Sequence, residues 1–217
     1  MHTQRFDASP APSPRLILGS TSPYRRELLT RLGLPFDVAS PEVDERPLPD
    51  ETPSQTALRL ATLKARAVAK RCPDDAVVIG SDQVADLDGM ILGKPGDHAR
   101  AKAQLQAMRG QTVRFHTAVC VKRAAAGFEQ TQVSTVSVRF RALSDEAIDT
   151  YLRLEQPYDC AGSAKCEGLG IVLLERIDSD DPTALVGLPL ILTTSLLQSA
   201  GLDVLGQRGR LAQPCQT

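Results

Sequence analysis

A short β-branched run at Ala76–Gly80 constrains the fold of this 217-residue chain more than any other segment. Three β-branched residues follow one another there without a polar residue between them, which is typical of a strand buried on both faces. Such strands belong to sheets that helices cover on both sides, so the run predicts an α/β fold. The polar triplet Ser81-Asp82-Gln83 predicts the carboxyl end of the strand, where open α/β sheets bind ligands.

Two helices with clear start signals precede this strand. The sequence predicts a strand at Arg15–Leu18 and then a helix that begins at Ser22-Pro23, a natural N-cap followed by a first-turn proline, and ends at Gly33. A capping box, Thr52-Pro53-Ser54-Gln55, opens a second helix that extends to about Arg71. Strand, loop and helix therefore alternate in the first third of the chain.

The rest of the chain mixes helices with long strands. It is predicted to contain a helix at Asp97–Met108, a hairpin of Val113–Lys122 and Val133–Arg141 around the turn AAAG, a helix from Ser144 to about Glu155, a strand at Gly170–Glu175 and a helix at Leu190–Ala200. Because the order lacks a regular βαβ period, a mixed sheet is favoured. The length predicts one domain, at residues 15–205, between a disordered tail at 1–14 and a flexible tail at 206–217.

The charge balance limits the partners. The chain has 25 Lys+Arg and 26 Asp+Glu, with a pI of about 6.3, which excludes a broadly basic binder of nucleic acid polymers. No apolar run approaches the roughly 18 residues of a membrane span, and the N-terminus has no hydrophobic signal core. We therefore expect a cytoplasmic protein without a nucleic acid or membrane partner. A local basic pocket for one small anion remains compatible with this balance.

The first candidate site is the helix start GSTSPYRRELL. Ser20 and its neighbours supply hydroxyls, the helix N-terminus supplies N–H groups, and Arg25 and Arg26 add positive charge, a set suited to a phosphate. The alternative is an ordinary Ser-Pro cap with two solvated arginines. Arginine so early in a helix opposes the helix dipole by about 0.3–1 kcal/mol, and two in succession favour an anion nearby.

The second candidate comprises acids and a lysine on separate segments. Asp82 is suited to binding a divalent metal or activating water, and Gln83 to hydrogen-bonding a substrate, although a turn acid is the alternative. Asp44 and Glu45 in PEVDE are further candidates for a magnesium site that bridges phosphates. GMILGKP lacks the spacing of a phosphate-binding loop, but Lys94 remains a candidate phosphate ligand.

The third candidate is the glycine-rich segment YDCAGSAKCEGLGI. Its small residues allow close approach of the backbone, and the carboxylate of Glu167 can accept two hydrogen bonds from an N–H edge such as that of guanine. A solvated acid on a loop is the alternative.

Several short motifs carry a resemblance to a known family. In chain order they are STSPYRRELL, PEVDE, RLATLKA, GSDQV, GKP, CAGSAKCEGLGI and LVGLPL. They resemble the Maf family of nucleotide pyrophosphatases from about Arg15 to Leu205. The resemblance implies an α/β fold in which helices flank a mixed, elongated central sheet and a cleft separates two lobes, similar to the inosine triphosphate pyrophosphatases. It also implies hydrolysis of nucleoside triphosphates between the α- and β-phosphates with a divalent metal, Mg²⁺ or Mn²⁺.

Homodimers are common among similar proteins, so a homodimer is the assembly to test.

The resemblance implies roles for individual residues. Its matching positions are Ser20, Arg25, Glu45, Lys64, Asp82, Gln83, Lys94 and Glu167. Three cations among them would neutralise the triphosphate, while Glu45 and Asp82 would hold the metal and Asp82 would accept the proton of an attacking water. Whether Asp82 is base, metal ligand or both stays open.

Three positions distinguish two branches of the family. Tyr24, Gln83 and Glu167 resemble the branch that prefers 7-methyl-GTP, whereas the branch that cleaves dTTP and UTP has Arg, Thr and Gln there. The base of 7-methyl-GTP is cationic, so an aromatic face and a carboxylate both favour it, the former by roughly 0.5–2 kcal/mol. We therefore expect a 7-methyl-GTP pyrophosphatase that keeps modified nucleotides out of nucleic acids. The alternatives are a dTTP/UTP pyrophosphatase and a non-catalytic inhibitor of septum formation.

Overall fold

The computed structural model describes residues 14–212. The N-terminal tail predicted at 1–14 lies outside this range except for its last residue, and so do residues 213–217 of the predicted C-terminal tail. The described chain forms six α-helices and seven strands. In chain order they are β1 Leu16–Gly19, α1 Pro23–Thr30, β2 Asp37–Val38, α2 Pro53–Ala69, β3 Val77–Leu87, β4 Met90–Leu92, α3 His98–Met108, β5 Thr112–Arg123, β6 Phe128–Phe140, α4 Asp145–Glu155, β7 Leu174–Asp178, α5 Leu190–Ser199 and α6 Val204–Ala212.

The strands form one mixed sheet in the described part of the chain, with the order β2-β1-β3-β5-β6-β7 and β4 paired with β3. The pairs of β1 with β2 and with β3 are parallel. All other pairs are antiparallel, including the long hairpin of β5 and β6 around AAAG. The predicted mixed α/β sheet flanked by helices is therefore confirmed.

The central strand β3 is longer than predicted. The polar triplet Ser81-Asp82-Gln83 lies in its middle, not at its end, because β5 continues to pair with β3 as far as Asp86. The strand that ends is β1, whose last residue Gly19 is paired with Gly80. After Gly80, β3 no longer pairs with β1, so the polar side chains of residues 81–83 lie next to the carboxyl end of β1.

Helices cover both faces of the sheet. One face packs against α2 through small residues, including Ala57, Ala61 and Ala65. On the other face, one apolar cluster joins α1 and α5 to β1 and β3, and a second joins α3 and α4 to β5 and β6. These two cores form the two lobes, and both contribute residues to the lining of the cavity described below.

Two local predictions are wrong. The strand predicted at Gly170–Glu175 is a 3₁₀ turn, Leu169–Leu173, followed by β7. The N–H of Gly170 bonds to Lys165 O at 3.0 Å, which folds this segment back on itself. Residues 206–212, predicted as part of a flexible tail, continue α6, which is tied to the rest of the fold by a 2.8 Å bond from Arg208 to Gly33 O.

The short strands β2 and β4 were not expected from the sequence. Among residues 14–212, no helix has both the length and the apolar character needed to span a membrane.

Candidate active site

The polar residues predicted for the site converge on one cavity of about 470 Å³. The residues from the sequence prediction that line it are Ser20, Tyr24, Arg25, Glu45, Lys64, Asp82, Gln83, Lys94 and Glu167. They come from separate segments of the chain, and the fold brings all nine together. Lys94 is exposed, whereas the side chains of Lys64 and Asp82 are almost completely buried.

The loop between β1 and α1 forms a hydroxyl-rich corner of the cavity. Ser22 caps α1 as predicted, with its Oγ accepting the N–H of Arg25 at 3.4 Å. The Oγ of Ser20 accepts the N–H of Ser22 at 3.2 Å and Nη1 of Arg25 at 3.4 Å. Arg25 Nε also donates to Gly187 O at 2.8 Å, which fixes the guanidinium from two sides. Arg26 is exposed and does not line the cavity.

The charge of Arg25 is balanced by acids across the cavity. Burial lowers the pKa of Arg25, while the nearby charges of Asp82 and Glu45 raise it. A guanidinium does not lose its proton under any condition in which the protein is folded, so Arg25 remains cationic. The partly buried cation is suited to binding an anion beside the N-terminus of α1.

Lys64 links the two acids that were predicted to act together. Its Nζ lies 2.6 Å from Asp82 Oδ1 and 2.8 Å from Glu45 Oε1. Lys64 is 4% exposed and Asp82 is 7% exposed, whereas the side chain of Glu45 is 57% exposed. The close approach of α2 to β3 at Gly80 allows this contact, because an added Cβ there would lie 2.9 Å from Ala65 Cα. We call Ser20, Arg25, Glu45, Lys64 and Asp82 the charged cluster.

The other two acids of PEVDE, Glu42 and Asp44, do not line the cavity. Asp44 pairs with the exposed Arg46 at 2.6 Å, and this hydrogen-bonded partner lowers the pKa of Asp44 to about 2. Glu45 is therefore the acid of this loop that reaches the site.

Gln83 is held by the protein through its amide nitrogen. Nε2 lies 2.9 Å from Thr117 Oγ1, 3.1 Å from Ala184 O and 3.0 Å from Leu185 O. These three acceptors fix the orientation of the amide. Within residues 14–212, Oε1 has no hydrogen-bond donor, so this oxygen is the atom of Gln83 that is free to contact a ligand.

A second group of side chains lies on the glycine-rich loop opposite Tyr24. Tyr24 Oη donates to Asp159 Oδ2 at 3.3 Å, and Cys160 Sγ lies 3.7 Å from the same hydroxyl. Burial, followed by the neighbouring Cys160, raises the pKa of Tyr24, so its hydroxyl remains a donor. We call Tyr24, Asp159, Cys160 and Glu167 the loop cluster.

The cysteines of this loop are not nucleophiles at neutral pH. Burial raises the pKa of Cys160 to about 11 and that of Cys166 to about 12. Because the thiolate is the reactive form, both thiols are inert under ordinary conditions. The site therefore offers carboxylates that can activate a water, rather than sulfur, for attack on a substrate.

Two sets of residues were missed by the sequence reasoning. The carbonyls of Ala184, Leu185 and Gly187 orient Gln83 and Arg25, a role that the sequence did not predict. The second set is Asp159, for which the sequence predicted no role. The glycine at position 187 was the available sequence signal for the first set, and in the structure its φ is 122°. An exposed loop acid gives no comparable signal.

Metal binding by this site would depend on carboxylates from two segments. Among residues 14–212, no group of three or more His, Cys, Asp or Glu side chains is arranged to hold a metal ion. Glu45 and Asp82 nevertheless contact the same nitrogen, so their oxygens can reach one bound cation. Two carboxylates completed by phosphate oxygens and water form a donor set that Mg²⁺ accepts.

An anion-binding helix start that faces a pair of acids and an aromatic side chain defines a site for a phosphorylated, base-bearing ligand. The family model described as "Maf-like protein" matches residues 15–200. This chain therefore belongs to the Maf family.

Two proteins are similar to this chain over most of its length. A protein of Polaromonas sp. (strain JS666 / ATCC BAA-500), named 7-methyl-GTP pyrophosphatase, is 66% identical over 194 residues, which cover 89% of this chain and 88% of the relative. A protein of the same name from Albidiferax ferrireducens is 64% identical over 192 residues, or 88% of this chain and 96% of the relative.

A solved structure, that of the Staphylococcus aureus Ham1 protein, covers 59% of this chain and 72% of its own, with 16% identity and a TM-score of 0.42. A likeness this slight bears on neither the fold nor the activity.

Proposed function

We propose that this protein is a nucleoside triphosphate pyrophosphatase that hydrolyses 7-methyl-GTP to 7-methyl-GMP and pyrophosphate. In this role it keeps modified nucleotides out of nucleic acids. The observation that carries the proposal is the division of one cavity into the charged cluster and the loop cluster. The first suits a triphosphate and the second suits a purine base. The names of the relatives support the same substrate.

The charged cluster supplies the groups that the hydrolysis needs. Arg25 and Lys64, with the exposed Lys94, neutralise the phosphates, and Ser20 keeps Arg25 oriented through its hydroxyl. Lys64 occupies Oδ1 of Asp82, whereas Oδ2 has no hydrogen-bond partner within residues 14–212. Asp82 Oδ2 accepts the proton of a water that attacks the α–β anhydride, and pyrophosphate leaves.

We include a divalent cation, Mg²⁺ or Mn²⁺, in this proposal. Glu45 and Asp82 would hold it, and when bound it would supply positive charge to the phosphate oxygens. Removing divalent cations with a chelator should stop pyrophosphate release, and adding magnesium should restore it. Full activity after chelation would contradict this part of the proposal.

The loop cluster favours a methylated guanine over a pyrimidine. The ring of Tyr24 offers a face to a cationic base, and the carboxylate of Glu167 can accept from the N1–H and N2–H of guanine. A pyrimidine base lacks this pair of donors. Gln83 Oε1 adds an acceptor in a fixed orientation.

The experiment is a pyrophosphate-release assay on 7-methyl-GTP, GTP, dTTP and UTP. We expect the highest kcat/KM for 7-methyl-GTP, and Asp82→Asn should lower kcat at least about 100-fold with an unchanged fold. Asp86→Asn is the matched control, because Asp86 is also a buried acid of β3 but lies outside the cavity. Asp86→Asn should retain most of the activity.

Three outcomes would overturn the proposal. A higher kcat/KM for dTTP or UTP would assign the protein to the other branch of the family. Normal turnover by the Asp82→Asn protein would remove the proposed base, whereas no pyrophosphate release by the unmodified protein from any of the four nucleotides would favour the non-catalytic alternative.

The remaining expectations are that the substrate is a free nucleotide, that the location is the cytoplasm, where nucleotide pools are used, and that the assembly is a homodimer. Light scattering of the purified protein tests the last, and cell fractionation tests the location.

A further inference from the structure

A second carboxylate accompanies Glu167 in the loop cluster. Asp159 lies between α4 and the 3₁₀ turn Ala161–Ser163, and it lines the cavity. Its Oδ2 accepts from Tyr24 Oη at 3.3 Å, and its Oδ1 lies 3.5 Å from Cys160 Sγ. Asp159 therefore contacts the aromatic side chain that is proposed to bind the base.

The two acids of this cluster have no cationic partner in the described chain. Neither Asp159 nor Glu167 forms an ion pair with any residue between 14 and 212. The ammonium of Lys165 lies 5.9 Å from the centre of the Tyr24 ring, and it is paired with Glu155 at 3.1 Å. The base-binding part of the cavity therefore holds two carboxylates without a direct ion pair, beside one ammonium that is already paired with Glu155.

Glu167 by itself does not explain a preference for the methylated base. The N1–H and N2–H donors that a carboxylate recognises are present in GTP as well as in 7-methyl-GTP. The two bases differ at N7, where methylation places a positive charge on the ring system. Discrimination between them requires groups that respond to this charge, namely an aromatic face and additional negative charge.

We propose that Asp159 is a specificity-determining residue for the cationic base. Its hydrogen bond orients the ring of Tyr24, and its carboxylate supplies the second negative charge that favours 7-methylguanine over guanine. This inference rests on the proposed function and adds to it the residue that separates 7-methyl-GTP from GTP.

Two variants separate the two contributions. Asp159→Asn removes the charge but keeps an oxygen that can accept from Tyr24, whereas Tyr24→Phe removes the hydrogen bond but keeps the ring and the charge. The quantity to measure is the ratio of kcat/KM for 7-methyl-GTP to that for GTP. We expect Asp159→Asn to lower this ratio about fivefold, mainly through KM for 7-methyl-GTP, as expected for one partly exposed charge. Tyr24→Phe should lower kcat/KM for both substrates and change the ratio less.

The salt dependence provides a readout that a purely structural role would not change. Added sodium chloride screens exposed charges, so the ratio for the unmodified protein should fall as the salt concentration increases. The ratio for Asp159→Asn should depend less on salt. Asp178→Asn is the control, because Asp178 is an exposed acid that does not line the cavity.

The outcomes distinguish a failure of the role of Asp159 from a failure of the proposed function. An unmodified protein that prefers 7-methyl-GTP, together with an unchanged ratio and salt dependence for Asp159→Asn, overturns the role of Asp159 alone. An unmodified protein without any preference for 7-methyl-GTP overturns both. Calorimetric titration with 7-methyl-GMP and GMP measures the same discrimination without turnover, and it should show the same loss for Asp159→Asn.

Discussion

The charged cluster and the loop cluster use different parts of the fold. Arg25, Lys64 and Asp82 stand on α1, α2 and β3, and each is held by at least one hydrogen bond or ion pair. Asp159 and Glu167 are exposed on a segment that contains only short 3₁₀ turns. Regular structure therefore positions these three groups proposed for chemistry, whereas a loop carries the two acids proposed for base selection.

This contrast indicates where substitutions will act. A substitution where α2 packs against β3, next to the charged cluster, disturbs closely packed backbone. It should therefore affect stability and turnover together. The exposed side chains of Asp159 and Glu167 have few neighbours, so substitutions there should alter substrate choice at little cost in stability.

The largest effect is expected at Gly80, where α2 contacts β3. Gly80→Ala would force α2 away from the strand, since an added Cβ would lie 2.9 Å from Ala65 Cα. We expect a loss of about 3 kcal/mol in the free energy of unfolding, measured by urea denaturation. Turnover should fall as well, because the same contact brings Lys64 to Asp82.

Gly209→Ala is the control for this change. Gly209 lies in α6 with nothing within 4 Å of an added Cβ, so alanine there should be neutral or stabilise the helix by up to about 1 kcal/mol. Equal effects of the two substitutions would contradict the importance of the close contact at Gly80.

The next effect is expected at Arg25. Arg25→Lys keeps the charge, but one ammonium cannot replace the guanidinium bonds to Gly187 O and Ser20 Oγ and also present a fork to a phosphate. We expect kcat/KM to fall about 30-fold for every nucleotide tested, as befits a group that contacts phosphates rather than bases. Arg26→Lys, at the exposed neighbouring position, should have little effect, and similar losses in both variants would count against the role of Arg25.

Much of the local structure could be predicted from the sequence. Ser22 and Thr52 cap their helices as expected, and both caps rest on chemistry within four residues of the chain. The extent of β3 could not be predicted in this way. Whether Asp82 lies within a strand depends on pairing with β5, more than 30 residues further along the chain.

The candidate site shows the same division. Motif resemblance selected nine residues that the fold places around one cavity. It did not indicate that Gln83 Nε2 is bonded to Ala184 and Leu185, because those carbonyls lie about 100 residues away in sequence. Nor could it indicate the contact of Asp159 with Tyr24, which joins residues 135 positions apart.

A smaller effect, confined to substrate choice, is expected at Glu167. Glu167→Gln removes the charge while nearly preserving size, so it replaces one of the two acceptors of a guanine edge by a donor. We expect kcat/KM for 7-methyl-GTP to fall about tenfold relative to that for dTTP. The melting temperature should be unchanged, because the side chain is exposed. Equal losses for both nucleotides would show that Glu167 does not select the base.

The smallest effect concerns the attachment of α2, the helix that carries Lys64. Glu129 on β6 pairs with Arg66 of α2 at 2.5 Å and with Lys122 at 2.8 Å. The hydrogen bond from Arg66, aided by Lys122, lowers the pKa of Glu129 to about 2. A lowered pKa in the folded protein means that the stabilisation is complete above the ordinary pKa of a glutamate and is lost as the pH falls toward 2.

Glu129→Gln should therefore destabilise the protein by about 1 kcal/mol at neutral pH, a value reduced for solvent screening of a partly exposed pair. Urea denaturation at a series of pH values should show the difference between the two proteins shrinking below pH about 4.5. Glu175→Gln is the matched control, since Glu175 is more exposed and lies 4.0 Å from Arg139. If the difference in the free energy of unfolding stayed constant across the acid range, Glu129 would hold α2 by packing rather than by charge. The attachment of α2, which carries Lys64, would then not depend on pH.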